Sequence, residues 1–388
     1  MPRVARPAPL ATPHIPCNQT EMDYDFVIIG GGIAGTSAGA RLSELGRVLV
    51  LEAEPALAYH ASGRSAALFE ENYGHPVTVA LNRASRTEHE QIDGGLLSPR
   101  GLMVLAGPGD EGRFPDDVAT MELEEIDLDA ACDLVPILNR DHVRRAAWHD
   151  AAWDIDTDRM VQVFARQIRA HGGSVQTNAR VTQIARQKKL WHVSVGDETH
   201  AGATIVNAAG AWADRIATMA GIAPIGLRPL RRSMARMPAP GGHDVSRWPM
   251  LIGVGETWYA KPDAGAWLVS PAEEDPVTEP HDAWADDMVL AEGIARYQPF
   301  VTEEVTRLTA SWAGLRSFAP DRCLVIGPEP GRRDFLWFAG QGGYGFQTAP
   351  AASRLLADLV AGRMPELGPE LVAALSPARL RPVGNPRA

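Results

Sequence analysis

The sequence predicts an α/β plus α+β chain: a parallel dinucleotide-binding sheet interleaved with a second, largely antiparallel sheet. Three observations lead there. A strand–glycine turn–helix–strand unit opens the readable part of the chain, and a similar strand and glycine turn return near the C-terminus. Between them, from about 227 to 318, lies a Pro- and Trp-rich stretch of short strand candidates. At 388 residues the chain exceeds what one ordinary core accommodates, so two intertwined lobes are expected.

Taken in order, residues 1–22 are Pro-rich and polar and read as a disordered tail, without the apolar run of a signal peptide. Phe26-Val27-Ile28-Ile29 is a short apolar run ending in glycine, as in a strand buried on both faces. A helix is expected from Ile33 to Leu45, stopped by Gly46, followed by a second buried strand, Val48–Leu51, that ends on Glu52. Strand, helix and strand make one right-handed parallel crossover. Thr157 to Ala170 reads as an amphipathic helix capped by Asp156 or Thr157 and closed by Gly172-Gly173. Strand candidates follow at 181–184, 191–195 and 204–206, then at 250–254, 257–260 and 267–269 in the antiparallel stretch. The last part holds strands at 324–326 and 335–338, a glycine-rich turn, and an apolar helix from about Ala349 to Val360. The cofactor lobe is expected to comprise 23–95, 151–225 and 319–388, and the substrate lobe 96–150 and 226–318.

Composition narrows the partners. The formal net charge is -11, which argues against nucleic acid or anionic lipid. No apolar stretch spans a bilayer. Cys17, Cys132 and Cys323 form no pair or cluster at metal spacing, so no metal site is expected and a reducing, cytoplasmic setting is.

The strongest motif is Gly30-Gly31-Gly32-Ile33-Ala34-Gly35. Gly30 makes the tight turn off the strand, Gly32 admits a pyrophosphate close to the backbone, and Gly35 lets helix and strand pack closely. The anion then sits on the helix N-terminus, and Glu52 is placed to accept ribose hydroxyls. The C-terminal turn, Gly340-Gln341-Gly342-Gly343-Tyr344-Gly345-Phe346 with Thr348 as a helix start, favours FAD over NAD: a helix N-terminus there would stabilise charge on a reduced flavin. The small-residue loop Ser62-Gly63-Arg64-Ser65 with Ala67, and the strand end Ala208 to Gly210 and Trp212, are placed to touch the same cofactor.

With these motifs in hand the chain resembles the D-amino-acid oxidase/dehydrogenase superfamily of FAD enzymes, most nearly bacterial D-amino acid dehydrogenases of the D-arginine dehydrogenase type. The likeness runs from about Asp25 to Arg379. It rests on 27–35, Gly63-Arg64-Ser65-Ala66-Ala67, 207–212, Arg231-Arg232-Ser233, Tyr259-Ala260-Lys261-Pro262-Asp263, Trp312-Ala313-Gly314-Leu315-Arg316-Ser317 and 341–345. It implies a Rossmann-like FAD-binding domain of the GR2/DAO type beside an antiparallel substrate sheet. Arg232 and Arg316 would hold the substrate carboxylate, Tyr259 would add a hydrogen bond, and Tyr73 would close over the substrate. Such a clamp orients Cα–H towards the flavin.

The departures concern specificity. Relatives that take basic D-amino acids carry a glutamate where this chain has Leu102, a histidine at Leu68 and a threonine at Glu70. An apolar pocket for a neutral side chain is therefore expected, with Glu70 and Glu71 solvated on an exposed turn. The implied activity is oxidative deamination of a neutral or hydrophobic D-amino acid to a 2-oxo acid and ammonia, by hydride transfer from Cα to flavin N5. Alternatives are a secondary or N-methyl amino acid, a 2-hydroxy acid, or a flavin-binding partner protein without turnover. The electron acceptor, whether quinone, carrier protein or O2, has no motif.

Overall fold

A computed structural model describes residues 23–381; the expected N-terminal tail, with Cys17, lies outside them. Phe26 pairs with Val48 in parallel register, and the crossover between the two strands is the helix Ile33–Leu42. Strands Glu198–Asn207 and Ser174–Gln176 extend this sheet on either side. Arg332–Ala339 lies parallel to the end of Glu198–Asn207, which completes an eight-stranded sheet. Both faces of the first two strands are covered. Phe26, Ile28, Val48 and Val50 pack in one core, and the alternating Val27, Ile29, Leu49 and Leu51 in another, as strict two-residue alternation requires.

The second sheet is nine-stranded and mostly antiparallel; Met250–Gly253 runs parallel to Leu102–Ala106. Its long pair, Arg228–Pro238 with Ala310–Phe318, matters most. Arg232 stands opposite Gly314, and Leu230 opposite Arg316. Residues directly opposite share a face, and so do residues two apart, so both arginines point the same way with a side-chain-free position between them. A third, three-stranded sheet joins Leu68–Glu70, Ala152–Ile155 and Leu97–Pro99.

Three expectations are corrected. The first helix ends at Leu42 rather than Leu45, with Ser43–Leu45 in the following turn. The C-terminal helix begins at Gly345, not near Ala349, and runs through Pro350 to Ala361. Proline removes an N–H and so strands the carbonyl one turn back, that of Phe346. The neighbouring helix Pro76–Gln91 covers this defect: the His89 Nε2–H donates to the Gln347 carbonyl (3.0 Å), and Ser85 Oγ accepts from the Ala351 N–H (3.1 Å). Glu70 is not on an exposed turn. It ends a strand paired with Ala152, its N–H donates to Gln347 Oε1 (2.8 Å), and it is 2% exposed.

Candidate active site

The turn off the first strand is built for close approach. Gly30 has φ +109°, and a Cβ there would lie 2.4 Å from the Ala208 carbonyl oxygen. A Cβ on Gly35 would meet the Gly30 oxygen at 1.8 Å. Glu52, nearly buried, is fixed by backbone donors: the Gly31 N–H to Oε2 at 2.7 Å and the Glu54 N–H to Oε1 at 2.9 Å. Each oxygen keeps a lone pair for a further donor. At the helix N-terminus the Ile33 N–H donates to Ser62 Oγ (3.0 Å), which ties the Ser62 loop to the glycine turn.

These groups line a cavity of about 370 Å³. Gly32, Ala34, Ser65 and Arg64 border it from the N-terminal segments, and Ala208, Gly210 and Trp212 from the strand end. Gln341, Gly342, Gly343, Gly345 and Phe346 border it from the C-terminal turn; Gly314, Arg232, Tyr259 and Arg316 do so from the second sheet. Arg64 lies along the wall with its guanidinium spent: NH1 donates to the Ala283 and Ala313 carbonyls, and NH2 pairs with Asp282. Gly35, Gly63, Gly340 and Tyr344 do not line the cavity. Gly63 packs on the Ala58 carbonyl, Gly340 takes φ +73°, and the Tyr344 ring lies 5.4 Å from that of Tyr73.

A smaller side cavity of about 50 Å³ shares Arg316, Tyr259, Gly343 and Phe346 with the large one. Leu68, Leu102, Met250 and Ile252 give it apolar walls; Ala67, Glu70, Tyr73 and Glu256 complete it. Glu70 Oε1 accepts from the Asn72 N–H (3.0 Å); Oε2 lies 3.0 Å from His149 Nε2, yet among the described residues it has no hydrogen-bond partner.

The arginines differ. Arg232 NH1 donates to Glu256 Oε1 at 2.8 Å, and NH2 lies 3.6 Å from Glu274. The Arg316 side chain makes no hydrogen bond among the described residues, and its nearest carboxylate oxygen is Glu256 Oε1, 4.0 Å away. Its guanidinium packs on the C-terminal turn so closely that a Cβ on Gly343 would lie 2.9 Å from Arg316 Cζ. Burial works against its charge, but Tyr259, Tyr73 and Glu256 outweigh that and raise its pKa. Tyr73 donates to Glu256 Oε2 (2.8 Å), and burial followed by the Glu256 charge pushes its phenol well above the ordinary value. The Tyr259 hydroxyl is turned to Met234 Sδ, at 3.5 Å.

Glu256 was missed in the sequence. It stands three residues before Tyr259 in a short turn, and nothing in the local pattern marks it beyond a carboxylate next to Gly255. Burial pushes its carboxyl up, but the charges of Arg232 and Arg316 and the hydrogen bonds from Arg232 and Tyr73 hold it below the usual range.

Comparison with known proteins bears on this geometry. A family model, DAO, described as FAD dependent oxidoreductase, matches residues 25–359. The hydrogen cyanide synthase subunit HcnC of Pseudomonas aeruginosa is 24% identical over 396 residues, covering 87% of this chain and 92% of that protein. Glycine oxidase of Pseudomonas putida is 23% identical over 364 residues, covering 90% and 97%. The crystal structure of L-proline dehydrogenase from P. horikoshii shares the fold at a TM-score of 0.78 and 21% identity, across 92% of this chain and 98% of that one.

Proposed function

The chain belongs to the DAO family of FAD-dependent oxidoreductases, and on that premise we propose that it oxidises a small α-amino acid at the carbon bearing the amine. One observation carries the reading: a half-buried guanidinium, Arg316, without a hydrogen-bond acceptor among the described residues, bordering both cavities and seated on Gly343 of the cofactor turn. The residues fit the cofactor. Gly30, Gly32 and the Ile33 N-terminus suit a pyrophosphate, and Glu52 keeps acceptors for ribose hydroxyls. FAD, when bound, supplies the two-electron acceptor for a C–H bond beside an amine.

The chain's own part is placement. Arg316 takes the substrate carboxylate as a planar fork, which fixes the carboxylate plane and the direction of its bond to Cα. Arg232, held by Glu256, adds positive charge beside it. Leu68, Leu102, Met250, Ile252 and Phe346 receive the side chain and exclude water from it. These apolar walls favour a neutral side chain, although Glu70 and Glu256 border the same cavity.

The D configuration rests on the motif likeness to D-arginine dehydrogenase-type enzymes. A second reading, a secondary or N-methyl amino acid, is favoured by the size of the side cavity, about 50 Å³, and by relatives named for glycine and L-proline. Anaerobic flavin bleaching across small D- and L-amino acids, sarcosine, proline and 2-hydroxy acids decides between them. Rapid bleaching by small neutral D-amino acids supports the first, and by sarcosine or proline the second. Bleaching by hydroxy acids alone overturns both.

A further inference from the structure

Holding Arg232 takes up only part of Glu256's bonding capacity, yet the chain goes to some length to place it. Gly255 (φ +69°) and Glu256 (φ +55°) are consecutive left-handed residues, and the second has a side chain that disfavours this conformation. Tertiary bonds hold the turn. The Gly255 N–H donates to Asp117 Oδ2 (2.7 Å), Thr257 Oγ1 donates to the Val254 carbonyl (3.3 Å), and Arg296 Nε donates to the Thr257 carbonyl (3.0 Å). The result is a carboxylate in the wall of the side cavity that also holds Arg316. Oε1 accepts from Arg232 and Oε2 from Tyr73, so each oxygen retains a second acceptor direction. Oε1 lies 4.0 Å from Arg316 NH1, too far for a hydrogen bond. A cation and an anion thus stand side by side, unbonded to each other, in one small cavity.

That arrangement matches a zwitterion. We infer that Glu256 is the ammonium-binding residue of the site: the substrate enters with its carboxylate on Arg316 and its protonated amine on Glu256. The inference rests on the amino-acid reading above and sharpens it. A hydroxyl in place of the ammonium loses the charge-assisted bond, and an anion lacking the amine meets the Glu256 charge as repulsion. The site therefore selects amines over 2-hydroxy acids through a residue that does not touch the carboxylate.

The test uses two matched probes without a Cα–H, so neither is oxidised: 2-aminoisobutyrate and 2-hydroxyisobutyrate. Each is titrated into the FAD-loaded protein, and binding is read from the shift in flavin absorbance. The wild type should bind the amino probe more tightly, by about tenfold or more for one charge-assisted hydrogen bond. In Glu256→Gln the two affinities should move in opposite directions, the amino probe weakening by about tenfold and the hydroxy probe tightening. A merely structural role would weaken both. Glu256→Asp, which keeps the charge, should retain the wild-type preference and serves if the glutamine variant loses FAD. Equal binding of the two probes by the wild type, or parallel weakening in Glu256→Gln, overturns the ammonium assignment alone. Binding of neither probe overturns the carboxylate anchor with it.

Discussion

Where Arg232 faces Gly314 across the long strand pair and Leu230 faces Arg316, two guanidiniums share a sheet face yet meet different neighbours. Arg232 is committed to Glu256, while Arg316 is kept free by its seat on Gly343. Gly343→Ala would put a methyl carbon 2.9 Å from Arg316 Cζ and displace the guanidinium. Steady-state kinetics should then show kcat/KM for amino acids, per FAD-loaded enzyme, reduced by about 10²-fold, the scale of a displaced positioning group. Glu52→Ala leaves the Gly31 and Glu54 N–H groups unpaired near a ribose site. It also removes the acceptors for the ribose hydroxyls, and at about 1.5–3 kcal/mol for a hydrogen bond to a charged group FAD dissociation should accelerate tenfold or more, measurable by ultrafiltration. The glycine turns were legible because close approach and left-handed φ restrict residue type locally. Glu256 was not, because Asp117 and Arg296, distant in sequence, shape its turn.

Among the elements, the two helices meeting at Pro350 show what a single chain can hide. Thr348 and Pro350 imitate a helix start, since serine-like caps and proline both belong in first turns. The helix begins earlier because His89 and Ser85 answer the groups that Pro350 disturbs, and that help comes from another helix. Glu70 was misread for a related reason: three residues of strand carry too little alternation to reveal burial. His89 has a further consequence. Burial, opposed by the Gln347 and Phe346 carbonyls, lowers its pKa from 6.5 to about 4, so the folded protein holds it neutral. Below pH 6.5 the unfolded chain takes up a proton that the folded one refuses until about pH 4. Stability should fall through that window, by up to about 3 kcal/mol. Thermal melts from pH 7 to 4 check this, and His89→Gln, which keeps a donor but cannot titrate, should flatten the fall.

Across the whole molecule, the cofactor cavity is bordered by strands of two sheets, and the Arg64 side chain ties its loop to residues 282, 283 and 313. Bound FAD is therefore expected to stabilise both regions together. Removing it should lower Tm, and adding it back should raise Tm with concentration, the added stability reaching about 2.7 kcal/mol at a hundredfold excess over Kd. Arg64→Met should narrow that gap by weakening FAD retention. The division into a parallel and an antiparallel sheet could be read from strand period and turn residues, which are local. Which strands border the site could not, because register between Arg228–Pro238 and Ala310–Phe318 is settled by pairing across about 80 residues of chain.

The claim on which the rest depends is that Arg316 anchors a carboxylate. Its most direct test compares a neutral amino acid that bleaches the flavin with the matching amino acid amide, in the wild type and in Arg316→Met. The wild type should prefer the acid by about 10²-fold or more in the rate of anaerobic flavin bleaching, and the variant, still loaded with FAD, should lose that preference. An Arg316→Met protein that still prefers the acid as strongly as the wild type would contradict the anchor and shift the carboxylate to another group.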